Sequence, residues 1–390
     1  MLLENSSAER LMGMKAIREL ALVLCSISAM TVPVLAAKPA LVTIGEGLSP
    51  KQPQAAVAAD GTVHLVFGVG EAVFFCRSTD SGSTFTKPQE AFRVPNMSLG
   101  MRRGPRISVV GNQVIVTAIG GRRGKGQDGD VLAWRLTEVG TNWQGPVHVN
   151  DAPDSAREGL HAMAAGPDGS VWVTWLDLRE KKTEIYLAKS TDAGATWRAN
   201  VQVYRSPDGS VCECCHPSIS VGDGVAHVMF RNSLAGNRDM YAAISKDDGK
   251  SFSQPKKLGQ GTWNLNACPM DGGMLAPGPK DTIITVWRRN NEIFSAPISG
   301  GREQLLGHGE QPWVAGSPDG PVFVWTAGRE GDLFVQSPAN RLPEKLASGA
   351  RDPVVCSAGG GPVIACWEAK TNGRPSVAVT RIEVSKSKTR

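Results

Sequence analysis

Two short segments hold the chain's densest set of soft donor atoms. Cys212-Glu213-Cys214-Cys215-His216-Pro217 packs three thiols and an imidazole into six positions, and Cys268-Pro269 supplies a fourth thiol. Three chemistries fit that set. Cys268 can form a disulfide with one of the three, with a second bond inside the triplet, and in an exported chain pairing is the default. Thiolates joined by His216, and by His161 if the fold brings it near, suit copper(I), or zinc where the geometry is tetrahedral. The spacing also satisfies Cys-x-x-Cys-His, the attachment pattern of haem c, with His216 as axial ligand. A third cysteine inside that motif counts against haem. Elsewhere, Cys356 and Cys366 flank the turn at Gly359–Gly361 and are expected to form a cross-strand disulfide, and Cys76 reads as a buried thiol.

A second group is charged or aromatic. Arg103 and Arg351 each stand two residues before a proline, Pro105 and Pro353, while Glu310, Asp352 and Trp313 open comparable segments. Arginines at such positions can hold a carboxylate, and Trp313 can stack on a glycan or another small ligand. Two carboxylates at a suitable separation are the minimum for glycoside hydrolysis. Glu158, Asp271, Glu310 and Asp352 are the candidates, but separation is not readable from sequence, so no catalytic residue is assigned.

The elements that must position these groups follow an export signal. Residues 1–37 carry a short basic region at Lys15 and Arg18, an apolar stretch from Leu20 to Leu35, and the small residues Val34 and Ala36 before a cleavage site. That pattern predicts a periplasmic or secreted chain. The apolar stretch contains Ser26, Ser28, Thr31 and Pro33, a poor membrane span, and no other stretch of the mature chain reads as one. The full 390 residues carry 42 Lys+Arg against 37 Asp+Glu, a formal charge of +5. That excess is too small for the basic stripe of a nucleic-acid binder. With 41% hydrophobic and 20% charged residues, the chain is neither a disordered polymer nor a multi-span membrane protein.

Residues 38–390 then read as one domain of repeated hairpins. Each unit opens at Pro or a similar break, alternates apolar residues, turns at Asp-Gly or Gly-Gly, and runs on to an aromatic. The openings are Pro53, Pro105, His161, Pro217, Pro269, Pro312 and Pro353. Period-two apolar runs joined by Asp-Gly are hairpins. Seven such units of about 40 to 57 residues predict an all-β fold, a single β-propeller whose small sheets stack into one ring. In that ring adjacent units bring Cys212–His216 and Cys268 together at the channel mouth, with His161, Met270 and Asp271 as neighbours. Trp172, Trp175, Trp287, Trp325 and Trp367 fall on the strands and read as packing between sheets.

A second motif identifies a family. Ser78, Asp80, Gly82 and Phe85 recur in the same spacing as Ser190, Asp192, Gly194 and Trp197, and again as Ser245, Asp247, Gly249 and Phe252. A worn copy places Glu138, Gly140 and Trp143 between the first two. The pattern resembles the Asp-box, or BNR, repeat of sialidase-like propellers, from Pro39 to about Val384. In that family the Asp-box is a structural turn on the rim away from the active site, so these residues receive no catalytic role. The family's more usual count is six blades, the alternative to the seven read from the repeats.

The same resemblance implies a sialidase site, and this chain departs from it. The family's Arg-Ile-Pro opening is replaced by Lys51-Gln52-Pro53, and only Arg103-Gly104-Pro105 and Arg351-Asp352-Pro353 keep an Arg-x-Pro spacing. The nucleophilic Tyr expected late in the chain is missing: the three tyrosines are Tyr186, Tyr204 and Tyr241. The expectation is therefore an exported sialidase-like propeller that binds a ligand or a soft metal at its mouth without sialidase turnover. A glycoside hydrolase acting on acidic glycans is the alternative, and a redox or assembly scaffold is a third class.

Overall fold

The computed structural model describes residues 39–384 except 44–46 and 138–141. The expected signal segment and the Glu138 and Gly140 of the worn Asp-box lie outside the described residues. Among the described residues the structure is almost entirely strand and turn, and its single helical element is a short 3-10 turn, Pro279–Asp281. No described helix is long and apolar enough to cross a membrane.

Each hairpin forms where a run of alternating apolar residues meets a residue able to take positive φ. Gly61, Gly169 and Gly224 sit at φ +85, +79 and +74. The preceding carboxylate ties the turn, as when Asp60 Oδ1 accepts the Thr62 amide at 2.9 Å and Asp168 Oδ1 that of Ser170 at 3.1 Å. The resulting strands form five four-stranded antiparallel sheets and one of seven strands. Their innermost strands are β1 (Lys51–Val57), β2 (Arg106–Val110), β3 (His161–Ala165), β4 (Ser218–Gly222), β5 (Met274–Pro277), β6 (Glu310–Ala315) and β7 (Asn340–Cys356). The seven-stranded sheet is continuous because β7 is unusually long. Its first part pairs as the outermost strand beside Gly331–Ser337, and its last part pairs with Val363–Thr371. Contacts pass from β1 to β2 and onward to β7, and β7 returns to β1.

Five of the seven expected openings agree with these strand starts to within a residue or two, and Pro353 falls two residues after Arg351, where the last part of β7 begins to pair with Val363–Thr371. The fifth opening does not: β5 begins at Met274 rather than Pro269, because Cys268–Gly273 is a loop. Between the sheets lies the apolar core. Trp172, Trp175, Trp287, Trp325 and Trp367, all on second strands, are at most 2% exposed and pack between sheets. Burying a side chain of this size contributes roughly 1.5–3 kcal/mol each, so these tryptophans are a large part of what holds neighbouring sheets together.

The three segments read as Asp-boxes are one structure repeated. Ser78 Oγ donates to Asp80 Oδ1 (2.6 Å) and accepts the Gly82 amide (2.8 Å), while Asp80 accepts both the amide (2.9 Å) and hydroxyl (2.6 Å) of Thr84. The same bonds recur at Ser190, Asp192, Gly194 and Thr196. They recur a third time at Ser245, Asp247, Gly249 and Ser251. Phe85, Trp197 and Phe252 are half-buried against the core.

The expected disulfide between Cys356 and Cys366 is not formed. The register sets Cys356 opposite Ile364 and Cys366 opposite Val354, so the two cysteines are diagonal rather than facing. The turn is less symmetric about Gly359–Gly361 than their spacing suggested. All seven cysteines among the described residues are thiols. Burial pushes the thiols of Cys76 and Cys356 up to about 12.

Candidate functional site

The starts of the innermost strands and the ends of their partners meet at one end of the ring, as the pairings Arg351↔Glu368, Glu310↔Thr326 and His161↔Trp175 require. Three of the innermost strands share a local irregularity there. The register of β1 shifts between Lys51 and Gln54, that of β6 between Glu310 and Trp313, and that of β7 between Arg351 and Val354. Within each bulge a residue before proline takes positive φ: Gln52 (+54), Gln311 (+58) and Asp352 (+48). A bulge re-aims a side chain, and all three are at most 2% exposed.

Together they form a belt of hydrogen bonds. The Gln311 amide donates to Asp271 Oδ2 (2.7 Å), and the Asp352 amide donates to Gln311 Oε1 (2.8 Å). Gln52 Nε2 donates to Asp352 Oδ2 (2.6 Å) and to Glu368 Oε1 (3.3 Å), and the Gln52 amide also donates to Glu368 Oε1 (2.9 Å). Arg102, 1% exposed, locks the belt from within. Its Nη1 and Nη2 donate to the carbonyls of Pro353 (2.9 Å) and Gln311 (2.8 Å), and its Nε lies 3.7 Å from Asp352 Oδ1. The guanidinium lies over the Trp313 ring, on which the His216 ring also stacks. Arg106 donates to the His161 carbonyl, and His161 Nε2 meets Thr117 Oγ1 at 3.0 Å.

This environment displaces proton equilibria. Burial, and then the neighbouring Asp352 carboxylate, raises Glu368 to about 7. Burial also raises Asp271. His161 and His216 are held well below the usual imidazole range by burial and then by nearby arginines. Several buried atoms facing this region make no hydrogen bond: both His216 nitrogens, Asp271 Oδ1, Asp352 Oδ1 and Gln311 Nε2.

Beside the belt, the loop entering β4 gathers three sulfurs. Cys212 Sγ lies 3.7 Å from Cys214 Sγ and 3.4 Å from Cys215 Sγ, and all three sulfurs fall within 4.8 Å of one another. Exposure is 0%, 7% and 2%. The Cys212 amide, donating to the Arg231 carbonyl at 3.0 Å, anchors the loop to the second strand of its sheet. Hydrogen bonding with Cys214 and Cys215 holds the Cys212 thiol well below the usual range, with Arg231 and Arg238 adding to the effect. Met270 packs against the three sulfurs.

The remaining expected site residues are distributed as follows. Cys268 is exposed and outside the three-sulfur set. His161 and His216 belong to the belt instead. Arg103 is half-buried and donates to the Glu158 carbonyl (2.7 Å), and Arg351 is half-exposed and ion-paired to Glu330 (2.8 Å). Glu310 pairs with Arg288 at 3.1 Å. Trp313 is buried in the belt. The half-buried Glu158 carboxyl is raised by burial and then by Glu213. Arg102 therefore occupies the inner place expected of Arg103. Gln52, Gln311 and Glu368 were not singled out from the sequence. The residue directly before each opening proline was the available signal for the first two, and Glu368, which follows Trp367, had none.

No family model matches the chain, and no curated protein matches it. Solved structures do. A protein of unknown function from Dyadobacter fermentans DSM 18053 superposes with a TM-score of 0.55 at 14% identity, over 89% of this chain and 99% of that one. An alpha-L-arabinanase of Penicillium chrysogenum, solved with arabinobiose, gives 0.53 at 12% identity over 89% and 98%. A virginiamycin B lyase of Staphylococcus aureus, solved with quinupristin, gives 0.53 at 14% over 88% and 99%. At these identities the likeness concerns the fold, and an arabinanase and a lyase share it, so the fold does not choose a chemistry. The chain has an all-β, propeller-type fold of the kind that glycosidases use.

Proposed function

We propose that the chain is an exported, seven-bladed Asp-box propeller that carries a soft metal ion at its channel mouth. Splitting the seven-stranded sheet within β7 gives seven four-stranded blades, the last one completed by Ala40–Val42. The three matching sets of Ser, Asp and Gly bonds support the Asp-box reading, and the N-terminal pattern supports export. The observation that carries the function is the convergence of Cys212, Cys214 and Cys215. Around a metal bonded to sulfur at about 2.3 Å, three ligands in a plane lie about 4 Å apart. The 3.4 and 3.7 Å separations need only small adjustments to reach that. Thiolate donors select copper(I) or zinc. Haem c is disfavoured, because Cys212 and Cys215 turn their sulfurs to one another inside a buried loop and His216 is stacked on Trp313.

The test is the intact mass of periplasm-derived protein under native and denaturing conditions. We expect a single metal-sized increment that disappears on denaturation and is absent from Cys212→Ser/Cys215→Ser. Metal retained by that double variant, or only a two-hydrogen loss marking a disulfide, would overturn the proposal.

One observation favours a second reading, glycoside hydrolysis. Gln52 Nε2 bridges two carboxyl groups, and Glu368, raised to about 7, is protonated enough near neutral pH to act as a general acid opposite Asp352. In that reading Glu368→Gln abolishes turnover of aryl glycosides. A wild type inert towards acidic sugars and arabinosides alike ends it.

A further inference from the structure

The three sulfurs are buried, so any metal they hold must arrive through something exposed. The segment Cys268-Pro269-Met270 is placed for this. Cys268 is exposed, Met270 is partly buried, and the Met270 side chain packs on the sulfurs. Met270 takes φ +54, a left-handed backbone that a non-glycine residue adopts only when its surroundings hold it there. That packing ties this loop to the three sulfurs. Two residues of chain span at most ~7 Å, so the Cys268 thiol stays within a short reach of Met270. The Arg238 guanidinium acts electrostatically on Cys212, Cys214 and Cys268 alike.

The donor set also discriminates between metals. Among the described residues the cluster contains no fourth Cys, His, Asp or Glu, whereas zinc is almost always four-coordinate in structural sites. His216, next in sequence to Cys215, is not free to turn in. It stacks on Trp313, and its Nδ1 lies only 2.6 Å from where a Cβ on Gly272 would stand. A thioether on the approach is a copper(I) ligand rather than a zinc ligand. Three thiolates around copper(I) carry two net negative charges, and two guanidinium groups, Arg231 and Arg238, stand beside Cys212.

We infer that Cys268 and Met270 form a relay through which copper(I), delivered by a carrier that holds it on thiol or thioether sulfur, passes to Cys212, Cys214 and Cys215. This rests on the soft-metal reading above and adds the ion, the route and the class of donor. The transfer is ligand exchange. The Cys268 thiol loses its proton and binds copper(I) as one carrier sulfur leaves; a leaving thiolate takes up that proton, and when a thioether leaves, the proton goes to solvent. Met270 then helps pass the ion inward as Cys268 dissociates and is reprotonated by a proton that the receiving thiols give up, their remaining protons passing to solvent. Copper stays in the same oxidation state, so no oxidant or reductant enters the step.

The experiment is anaerobic loading of the reduced mature chain from the copper(I)–glutathione complex, followed by thiolate-to-copper absorbance. Wild type should take up one equivalent. Cys268→Ser should reach the same stoichiometry and the same affinity in competition with a copper(I) chelator, but at least tenfold more slowly, and Met270→Leu should also load more slowly. Because Cys268 is exposed, an unchanged thermal midpoint will verify folding. Wild-type loading rates in both variants would overturn the relay while leaving the metal site standing. Reduced stoichiometry or affinity in Cys268→Ser would also overturn it, by making Cys268 a permanent ligand. If the wild type takes up no copper(I), the relay falls, and the soft-metal reading falls with it only if the same protein takes up no zinc either.

Discussion

Gln52, Gln311 and Asp352 occupy corresponding places on three innermost strands, each with positive φ before a proline. Backbone held in such regions costs of order 1–3 kcal/mol per residue. The belt offsets that cost with charge-assisted hydrogen bonds whose partners are Asp271, Glu368 and Arg102. Glu368 is the member whose protonation changes near neutral pH. Its folded-state value, about 7, lies above the ordinary 4.5. Below pH 4.5 the carboxyl is protonated in both folded and unfolded chains and has no effect on stability. Between 4.5 and 7 the unfolded chain ionises first, so stability falls as pH rises, and above 7 the penalty is constant at up to about 3 kcal/mol. Glu368→Gln keeps an oxygen for the Gln52 amide and removes the ionisation. We therefore expect the variant to gain stability over wild type as pH rises from 4 to 8, measured by denaturant unfolding. Parallel pH dependences would contradict this origin. The belt shows how far single residues were legible. Asp352, Trp313 and Asp271 were noticed because they open repeats. Arg102 was passed over for its neighbour Arg103, since a one-residue difference in facing at the start of a strand depends on the turn that precedes it.

At the scale of the element, Asp-boxes and hairpin turns both place glycine at positive φ, but they do different work. A Cβ on Gly249 (φ +81) would stand 2.4 Å from Trp172 Cζ3, on the second strand of the preceding sheet, whereas one on Gly224 (φ +74) would meet nothing within 4 Å. Gly82 and Gly194 likewise face Ile364 and Ile115 of the sheets before theirs. This Ser-Asp-Gly turn thus also packs one sheet onto another. Both Gly249→Ala and Gly224→Ala lose roughly 1–2 kcal/mol from the left-handed backbone. Gly249→Ala should lose about 1–3 kcal/mol more from overpacking against a fully buried tryptophan. Equal losses, read from chemical denaturation of both variants, would refute that packing role. The hairpins and Asp-boxes were legible because their bonds are local, within four residues. The fifth opening was misplaced because Pro269 punctuates a loop as readily as it opens a strand.

For the whole molecule, closure depends on the N-terminal strand. Ala40–Val42 pairs with Arg374–Ile382 in the register Ala40↔Val379, Leu41↔Ala378 and Val42↔Val377, so the last sheet is completed by the start of the chain. Val42 is 4% exposed and joins the largest apolar cluster, which also includes residues of β1, β6 and β7, while Leu41 is 43% exposed. A charge at Val42 is buried without a partner. Val42→Asp is therefore expected to lower the thermal midpoint well below that of wild type, with Leu41→Asp close to wild type. Equal midpoints for the two variants would mean that this strand does not hold the ring.

The sequence by itself determined the elements: strand alternation, Asp-Gly turns and the Asp-box bonds are set by neighbours a few positions apart. It also brought together the three cysteines that are close in the chain. Only the tertiary structure decided that His216 turns away to stack on Trp313, that Cys356 and Cys366 stand diagonally, and that Gln52 joins Asp352 to Glu368 across 300 and 316 positions of chain. Those outcomes depend on register, on bulges and on which sheet comes to lie beside which. All three are properties of long-range packing, and residue type and spacing constrain them only weakly.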